Sequence, residues 1–437
     1  LDCSDEDAFG KHLQTVKGLS TMPLSLHLYN TMSRRTEEFA PREKRGPVKI
    51  FTCGPSIYNW QHIGNYRTFL FEDILERYLE FSGYKVDRLL NFTDVEDKAV
   101  SRAQQMGVGL EELTLPVEER FYDDCELLGI RLPEPLARST TSVEQAVHLI
   151  DELLRRRIAY WHGIDVFYDP LRFKGFGRLY GLDMSQWPKK RIRFYKDTYP
   201  GQRWNRGDFI LWKGWRRTDG GIFWNTALGK GRPAWNVQDP AMITKHLGYT
   251  LDICCGGIDN LVRHHDYNIA VVEGVSGREL ARYWLHGEHV LIEGAKMSKS
   301  KGNIVYVKDL MARGYAPRHI RFFLSYGNYR SRLNLTEENL NLARGKADTF
   351  RAMVEGLQNS AGGDEQTDDG AERLIGRIQS DFRDRLNDDL DLGGAFDRLY
   401  DTVSKLCLMA AEGRLGRREA KRAVEEIRKT DSVMRIL

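Results

Sequence analysis

A thiol, an imidazole and a cluster of lysines are the groups in this sequence best suited to chemistry, and most of them fall in two short stretches. The first, Thr52-Cys53-Gly54-Pro55-Ser56-Ile57-Tyr58-Asn59-Trp60-Gln61-His62-Ile63-Gly64-Asn65, follows the apolar run Val48 to Thr52. It precedes Tyr66 to Leu79, whose apolar residues recur at helical spacing. The pattern is strand, turn, helix, with Cys53 at the strand end and His62, Gly64 and Asn65 where the helix begins. A helix start offers unpaired backbone N–H groups, and ligands of open α/β sheets bind beyond the carboxyl ends of the strands. A phosphate therefore belongs near His62. The second stretch, Gly294-Ala295-Lys296-Met297-Ser298-Lys299-Ser300-Lys301-Gly302-Asn303, is cationic and rich in small residues, which suits polyphosphate. On composition alone a solvated loop is the commoner reading. Between them, Gly256-Gly257 ends an apolar run and lets backbone approach a ligand, while Asp259 can accept from a hydroxyl or an amine.

The elements that must position these groups read as a parallel sheet with helical crossovers. Lys85 to Leu90 is a second apolar run after the Gly83 stop signal, which makes a βαβ unit. Asn91 to Lys98 supplies polar groups at its carboxyl end before a helix from Ala99 to Met106. The carboxylates there either face a cationic substrate group or cap the helix. Residues 117–160 read as helical, and 160–230 are dense in Trp, Tyr, Gly and Arg with short strands. Trp161, Trp187, Trp204, Trp212, Trp215 and Trp224 either stack on a base or pack a small β subdomain. The sheet resumes at 231, where Gly231 to Asp239 leads into a helix from Pro240 to Leu247. Strands follow at 250–255 and 289–292, with His264-His265-Asp266 opening the helix between them. From Asn334 onward the chain is helical, broken by a polar linker at 359–370. The expected division is an N-terminal extension (1–22), a first half of a Rossmann-like catalytic domain (23–130), an inserted subdomain (131–230) and a second catalytic half (231–290). The cationic loop and adjoining region (291–345) and a helical bundle (346–437) complete it. The fold class is α/β with a C-terminal α-helical bundle.

A chain of 437 residues is long for one domain, and 41% apolar residues suffice for sizeable cores. With 65 basic against 62 acidic residues, overall charge does not mark a nucleic-acid binder. The six cysteines, at 3, 53, 125, 254, 255 and 407, include no CxxC pair, which argues against a disulfide scaffold and for a reducing compartment. No run reaches transmembrane length and no signal-peptide core is present, so a cytoplasmic location without membrane attachment is expected.

His62-Ile63-Gly64-Asn65 and Lys296-Met297-Ser298-Lys299-Ser300 resemble the paired HIGH and KMSKS signatures of class I aminoacyl-tRNA synthetases. The finer resemblance is to cysteinyl-tRNA synthetase, on Thr52 to Thr68, Asn91 to Lys98, Gly231 to Met242, Gly256 to Asn268 and Lys296 to Asn303. It spans about residues 23–430. The family implies activation of an amino acid by ATP with Mg2+ and transfer of the aminoacyl group to tRNA, by a monomer. It gives catalytic roles to His62, Asn65, Lys296 and Lys299. ATP contacts fall on Gly64, Gly256, Gly257, Asp259, Met297, Ser298 and Ser300, and amino-acid contacts on Gly54, Thr68, Trp235 and Asp239.

The family holds a zinc ion that takes the substrate thiolate, because soft sulfur binds zinc far better than a hydroxyl does. Its four ligand positions fall on Cys53, Asp239, His264 and Asn268, of which Asp239 and Asn268 differ from the family's cysteine and glutamate. Two readings follow. Zinc is held by Cys53, Asp239 and His264 with one position open, or the metal is gone and Asp239 faces a cationic or hydroxylated side chain. The family also continues into a small anticodon-binding domain where this sequence stops. A tRNA-independent ligase acting on a small amine, thiol or carrier is thus one alternative, and a non-catalytic tRNA- or adenylate-binding paralogue another. Arg344, Lys346, Arg351, Arg414, Arg417, Arg418, Lys421 and Arg422 either meet RNA phosphates or form a solvated face.

Overall fold

The computed structural model describes residues 25–134, 136–195, 204–298, 301–360 and 368–437. The extension at 1–22, Lys299, Ser300 and most of the linker at 359–370 lie outside the described residues.

Five parallel strands form the central sheet, in the order Ala281–Gly287, Leu251–Gly257, Val48–Thr52, Val86–Phe92, Ala137–Arg138. Their apolar runs are nearly continuous because helices cover both faces. Val48–Thr52 is buried at four of its five positions, and Leu251–Gly257 at six of seven. The strand order reverses between these two, with Ile50 opposite Ile253 and Phe51 opposite Cys254. A crevice opens beyond their carboxyl ends, where such sheets bind ligands.

Prolines account for two departures from the sequence reading. The helical stretch expected over 117–160 is two helices, Leu110–Leu127 and Val143–Arg155, with the edge strand Ala137–Arg138 between them. Pro133 disfavours helix at its own position and at the residue before it. Conversely, the helix expected to start at Pro240 runs over Trp235–His246, with Pro240 inside it. Its first turn is wholly buried and hydrogen-bonded through side chains: Asn236 Nδ2 donates to Ile210 O at 2.9 Å, and Gln238 Nε2 to Val95 O at 2.7 Å. Those bonds carry the helix five residues further toward its N-terminus and put Asp239 on a helix rather than on a loop.

An antiparallel sheet of Ala159–His162, Asp165–Tyr168, Asp208–Gly214, Gly229–Pro233 and Trp224–Thr226 interrupts the parallel one in sequence. Trp212 and Trp187 are packed in its core, whereas Trp161 is exposed.

The helix Ile63–Phe81 runs from the crevice to the C-terminal helices Glu337–Gln358, Asp369–Leu386, Leu392–Ala411 and Arg417–Met434. Its middle is fixed by Arg321, which is 1% exposed. The guanidinium donates to Asp73 Oδ2 (2.8 Å), Leu128 O (2.8 Å), Gly129 O (3.0 Å) and Met434 O (2.6 Å). Burial alone would raise the Asp73 carboxyl, but Arg321 and Arg77 outweigh it and hold it below the usual carboxylate range. Removing Arg321 leaves the buried Asp73 carboxylate with Arg77 as its remaining ion-pair partner among the described residues. Arg321→Met is expected to cost about 3–5 kcal/mol of unfolding free energy, measured by urea denaturation followed by near-ultraviolet circular dichroism.

Candidate functional site

The turn that leaves the central strand is held close to its neighbour. Gly54 N–H donates to Asn91 Oδ1 at 2.6 Å, and a Cβ at Gly54 would collide with the Asn91 carbonyl oxygen. Only glycine lets the two strand ends approach this closely. The turn ends at His62, the N-cap of the helix Ile63–Phe81. His62 Nδ1 accepts the Asn65 N–H at 3.3 Å, while Asn65 Oδ1 accepts the His62 N–H at 3.0 Å. This reciprocal cap satisfies two helix-end donors and assigns the imidazole proton to Nε2. The remaining donors of the first turn and the helix dipole favour an anion there.

These residues line a cavity of about 380 Å³ at the reversal point of the sheet. Cys53, Gly54 and Thr68 border it on one side, and His62, Gly64 and Asn65 at the helix start. Gly257 and Asp259 enter from the end of Leu251–Gly257, and Lys296 and Met297 from the cationic loop. A Cβ at Gly64 would lie 2.7 Å from Met297 Cε, so the glycine lets that loop close on the helix start. Lys296 Nζ donates to Asp259 Oδ1 at 3.3 Å and stands 3.2 Å from His289 Nε2. Burial raises the Asp259 carboxyl, but His289 and Lys296 together outweigh it and bring it below its ordinary value. The Lys296 and Asp259 side chains are about half exposed (45% and 53%), so their pairing is weak and a phosphate can displace it.

Other residues singled out by sequence stand elsewhere. Gly256 is buried under His265, whose Cε1 would meet a Cβ there at 2.9 Å. Ser298 N–H donates to Asn303 Oδ1 at 2.9 Å. Trp235, Asp239, His264 and Asn268 are buried behind Cys53 and do not line the cavity. Cys53 Sγ lies 3.5 Å from His264 Nε2, which is 2.7 Å from Asp239 Oδ2, and the three donor atoms fall within 4.8 Å of one another. Asp239 Oδ1 accepts from Asn91 Nδ2 at 2.9 Å, and Trp235 stacks on the His264 ring at 5.3 Å. Burial pushes the Cys53 thiol well up, and the Asp239 and Glu72 carboxylates add to the effect. A cation among these groups would reverse that balance. Asn268 follows His264 by one helical turn, and its Nδ2 has no hydrogen-bond partner among the described residues.

Asn260, Glu288 and His289 also line the cavity and were not anticipated. The position of Asn260 immediately after Asp259 was the available signal. His289 gave none, since a histidine opening a predicted strand is ordinary. Several of the cations considered for RNA are in ion pairs: Lys346 with Asp397 (2.7 Å), Arg351 with Glu355 (2.8 Å) and Arg414 with Asp368 (2.8 Å).

Residues 39–345 match the family model described as the catalytic domain of class I tRNA synthetases (C). The chain belongs to the cysteinyl class I tRNA synthetase family. It is 36% identical over 418 residues to a cysteine–tRNA ligase of Chlamydia pneumoniae, covering 94% of this chain and 86% of that protein. A cysteine–tRNA ligase of Protochlamydia amoebophila is 31% identical over 419 residues, covering 95% and 86%. Among solved structures, methionyl-tRNA synthetase of Mycobacterium tuberculosis in complex with methionyl-adenylate shares the fold, with a TM-score of 0.63 at 14% identity over 90% of each chain. A putative arginyl-tRNA synthetase of Campylobacter jejuni gives 0.58 at 10% identity, covering 91% of this chain and 94% of that one. No helix among the described residues is long and apolar enough to cross a membrane.

Two expectations follow from this synthetase-family site. Gly54→Ala must part the ends of two adjacent strands. It is expected to destabilise by about 1–3 kcal/mol and to lower activity together with the thermal midpoint. Glu96, buried beside the cavity residue Tyr58, has its carboxyl raised from the usual 4.5 to about 7, by burial against the pull of Lys98. The folded chain therefore holds this proton where the unfolded chain has released it. The associated stability is full below pH 4.5 and is lost as pH rises through 7. Glu96→Gln is expected to flatten the stability profile between pH 5 and 8 by up to roughly 3 kcal/mol, read by urea denaturation at each pH.

Proposed function

We propose that this chain activates an amino acid with ATP, releasing pyrophosphate, and passes the aminoacyl group from the adenylate to tRNA. The observation that carries this reading is one cavity that joins the His62 helix start, Gly257, Asp259 and Lys296 at one side and Cys53 at the other. ATP with Mg2+ enters as substrate. The amino-acid carboxylate attacks the α-phosphorus, a bond to the α-phosphorus forms, and the bond to the bridging oxygen of pyrophosphate breaks. His62, with its proton on Nε2, donates to a phosphate oxygen, and the helix start adds backbone donors. Asp259 and the Gly257 backbone face the adenosine. As negative charge builds on the leaving pyrophosphate, Lys296 exchanges Asp259 for it. Catalysis of this kind is mostly positioning and charge stabilisation.

Cys53, Asp239 and His264 fit a zinc ion, since one sulfur, one oxygen and one nitrogen donor converge as a three-ligand set with a position to spare. Zinc there would supply selective affinity for a substrate thiolate. A second reading, activation of an amino acid other than cysteine, is favoured by one observation. Both Asp239 oxygens are engaged by Asn91 and His264, so the carboxylate behind the cavity is already satisfied by protein groups.

ATP–pyrophosphate exchange across the amino acids, with elemental analysis of the purified protein, separates the two. Exchange with cysteine and one zinc per chain supports the first; exchange with a different amino acid and no zinc supports the second. Exchange without charging of total tRNA would assign a small acceptor instead, and absence of exchange would overturn activation altogether. Lys296→Ala is expected to slow exchange by about 10²–10³-fold with an unchanged thermal midpoint.

A further inference from the structure

A second cavity of about 370 Å³ adjoins the first, and the two share Tyr58, Asn59 and Trp60 as a common wall. Met106, Pro116 and Tyr306 also line it. Trp60 is 47% exposed and Met106 56%, so two large apolar side chains stand in solvent beside a reaction cavity. Lys308 Nζ lies 4.1 Å from the Trp60 ring centroid, the Tyr306 ring meets Trp60 edge-on at 6.0 Å, and Arg102 donates to Asn59 Oδ1. Glu112 is the one acidic residue among the described residues that line this groove. An indole flanked by cations in an open groove is the arrangement that holds unpaired nucleotides, because every base has a π face and is followed by a phosphate.

We propose that this groove stacks an unpaired base at the 3′ end of tRNA on Trp60 and so leads the terminal ribose into the cavity. The assignment rests on tRNA being the acceptor. Transfer requires a ribose hydroxyl to reach the aminoacyl carbonyl; its oxygen bonds to that carbonyl carbon, the bond from that carbon to the AMP phosphate oxygen breaks, and the hydroxyl proton passes to the leaving AMP phosphate. The preceding nucleotide must therefore lie at the mouth of the cavity, and the groove opens there along Tyr58 to Trp60. The base takes the indole face that Lys308 covers, which frees that ammonium for the adjoining phosphate, and Arg102 lines the same groove.

The test uses the full chain and a single-stranded RNA tetramer ending in adenosine, followed by tryptophan fluorescence and fluorescence polarisation, together with charging of total tRNA. Trp60→Leu is expected to weaken the tetramer by about ten-fold or more, to raise KM for tRNA, and to abolish most of the fluorescence quenching. Trp60→Phe is expected to recover much of the affinity. Met106→Ala, remote from the reacting atoms, is expected to weaken the tetramer with unchanged ATP–pyrophosphate exchange. If the wild-type chain charges tRNA and Trp60→Leu binds the tetramer as tightly as wild type does, the groove assignment is overturned and the tRNA reading stands. If the wild-type chain binds neither tetramer nor tRNA while exchange persists, the tRNA reading falls and takes the groove with it.

Discussion

Arg321, buried with four acceptors around one guanidinium, fixes the helix on which the rest of the site depends. Three of its bonds go to carbonyls at 128, 129 and 434, and the fourth to Asp73 on the helix Ile63–Phe81. Asp73 lies eight residues from Asn65, roughly 12 Å along the helix axis. A clamp at that distance sets the angle at which the helix start meets the crevice. Arg67 adds a second tie in the first turns, donating to Leu324 O (3.1 Å), Asn328 O (3.1 Å) and Ser331 O (2.7 Å). Burial lowers the Arg67 guanidinium to about 10, against the upward pull of Glu288. The segment it grips runs into Leu333–Leu335, which pairs with Val290–Ile292, and that strand pairs in turn with Ala295–Lys296. Helix start and lysine loop are thus joined through hydrogen-bonded backbone, so they keep a fixed relation although about 230 residues separate them in sequence.

The contrast between the two sides of the cavity is energetic. At the phosphate side the protein's own pairings are half exposed and weak, which suits groups that must exchange partners during a reaction. Behind Cys53 the pairings are buried and connected. Gly54 N–H bonds Asn91, Asn91 bonds Asp239, Asp239 meets His264, and His264 meets the Cys53 sulfur. His265 and His286 back this chain as buried neutral rings, 2.9 Å apart, with burial holding His286 down to about 3 and pushing His265 low, its histidine neighbours adding to the latter. Leaving a buried network half satisfied is costlier than an apolar core, so such a chain resists single changes.

This difference explains what could be read from the sequence. His62, Asn65, Asp259 and Lys296 were legible because phosphate chemistry restricts residue type, and their spacing from strand ends placed them at the crevice. Val48–Thr52, Val86–Phe92 and Leu251–Gly257 were legible because burial on both faces makes their apolar runs continuous, whereas Ala281–Gly287 was missed and the strand expected at 289–292 pairs in a separate small sheet. Asn236, Gln238 and Asp239 were harder. A polar run before a proline reads as loop, and only tertiary partners such as Ile210 O and Val95 O turn it into a buried helical turn. Ala137–Arg138 was missed for a related reason, since a two-residue edge strand has no period and is defined by the pairing of Asn91 and Phe92 across from it. The end of the cavity at Cys53, with Trp235 and Asp239 behind it, depends on side-chain packing that no local pattern encodes.

Asp239 also changes what the buried trio is. Two thiols facing an imidazole would be poorly satisfied without a cation, because S–H is a weak donor and sulfur a weak acceptor. A carboxylate facing an imidazole makes a strong hydrogen bond on its own, and here its second oxygen is taken by the Asn91 amide. The geometry behind Cys53 is therefore self-supporting, with the same atoms able to serve each other or an ion. What such a floor does not fix is the side chain it receives. The groups beside it are amides: Asn260 lines the cavity next to Asp259, and Asn268, buried one turn beyond His264, has an amide nitrogen that meets no acceptor among the described residues. Two neutral amides cannot supply the negative charge that the family's glutamate brings.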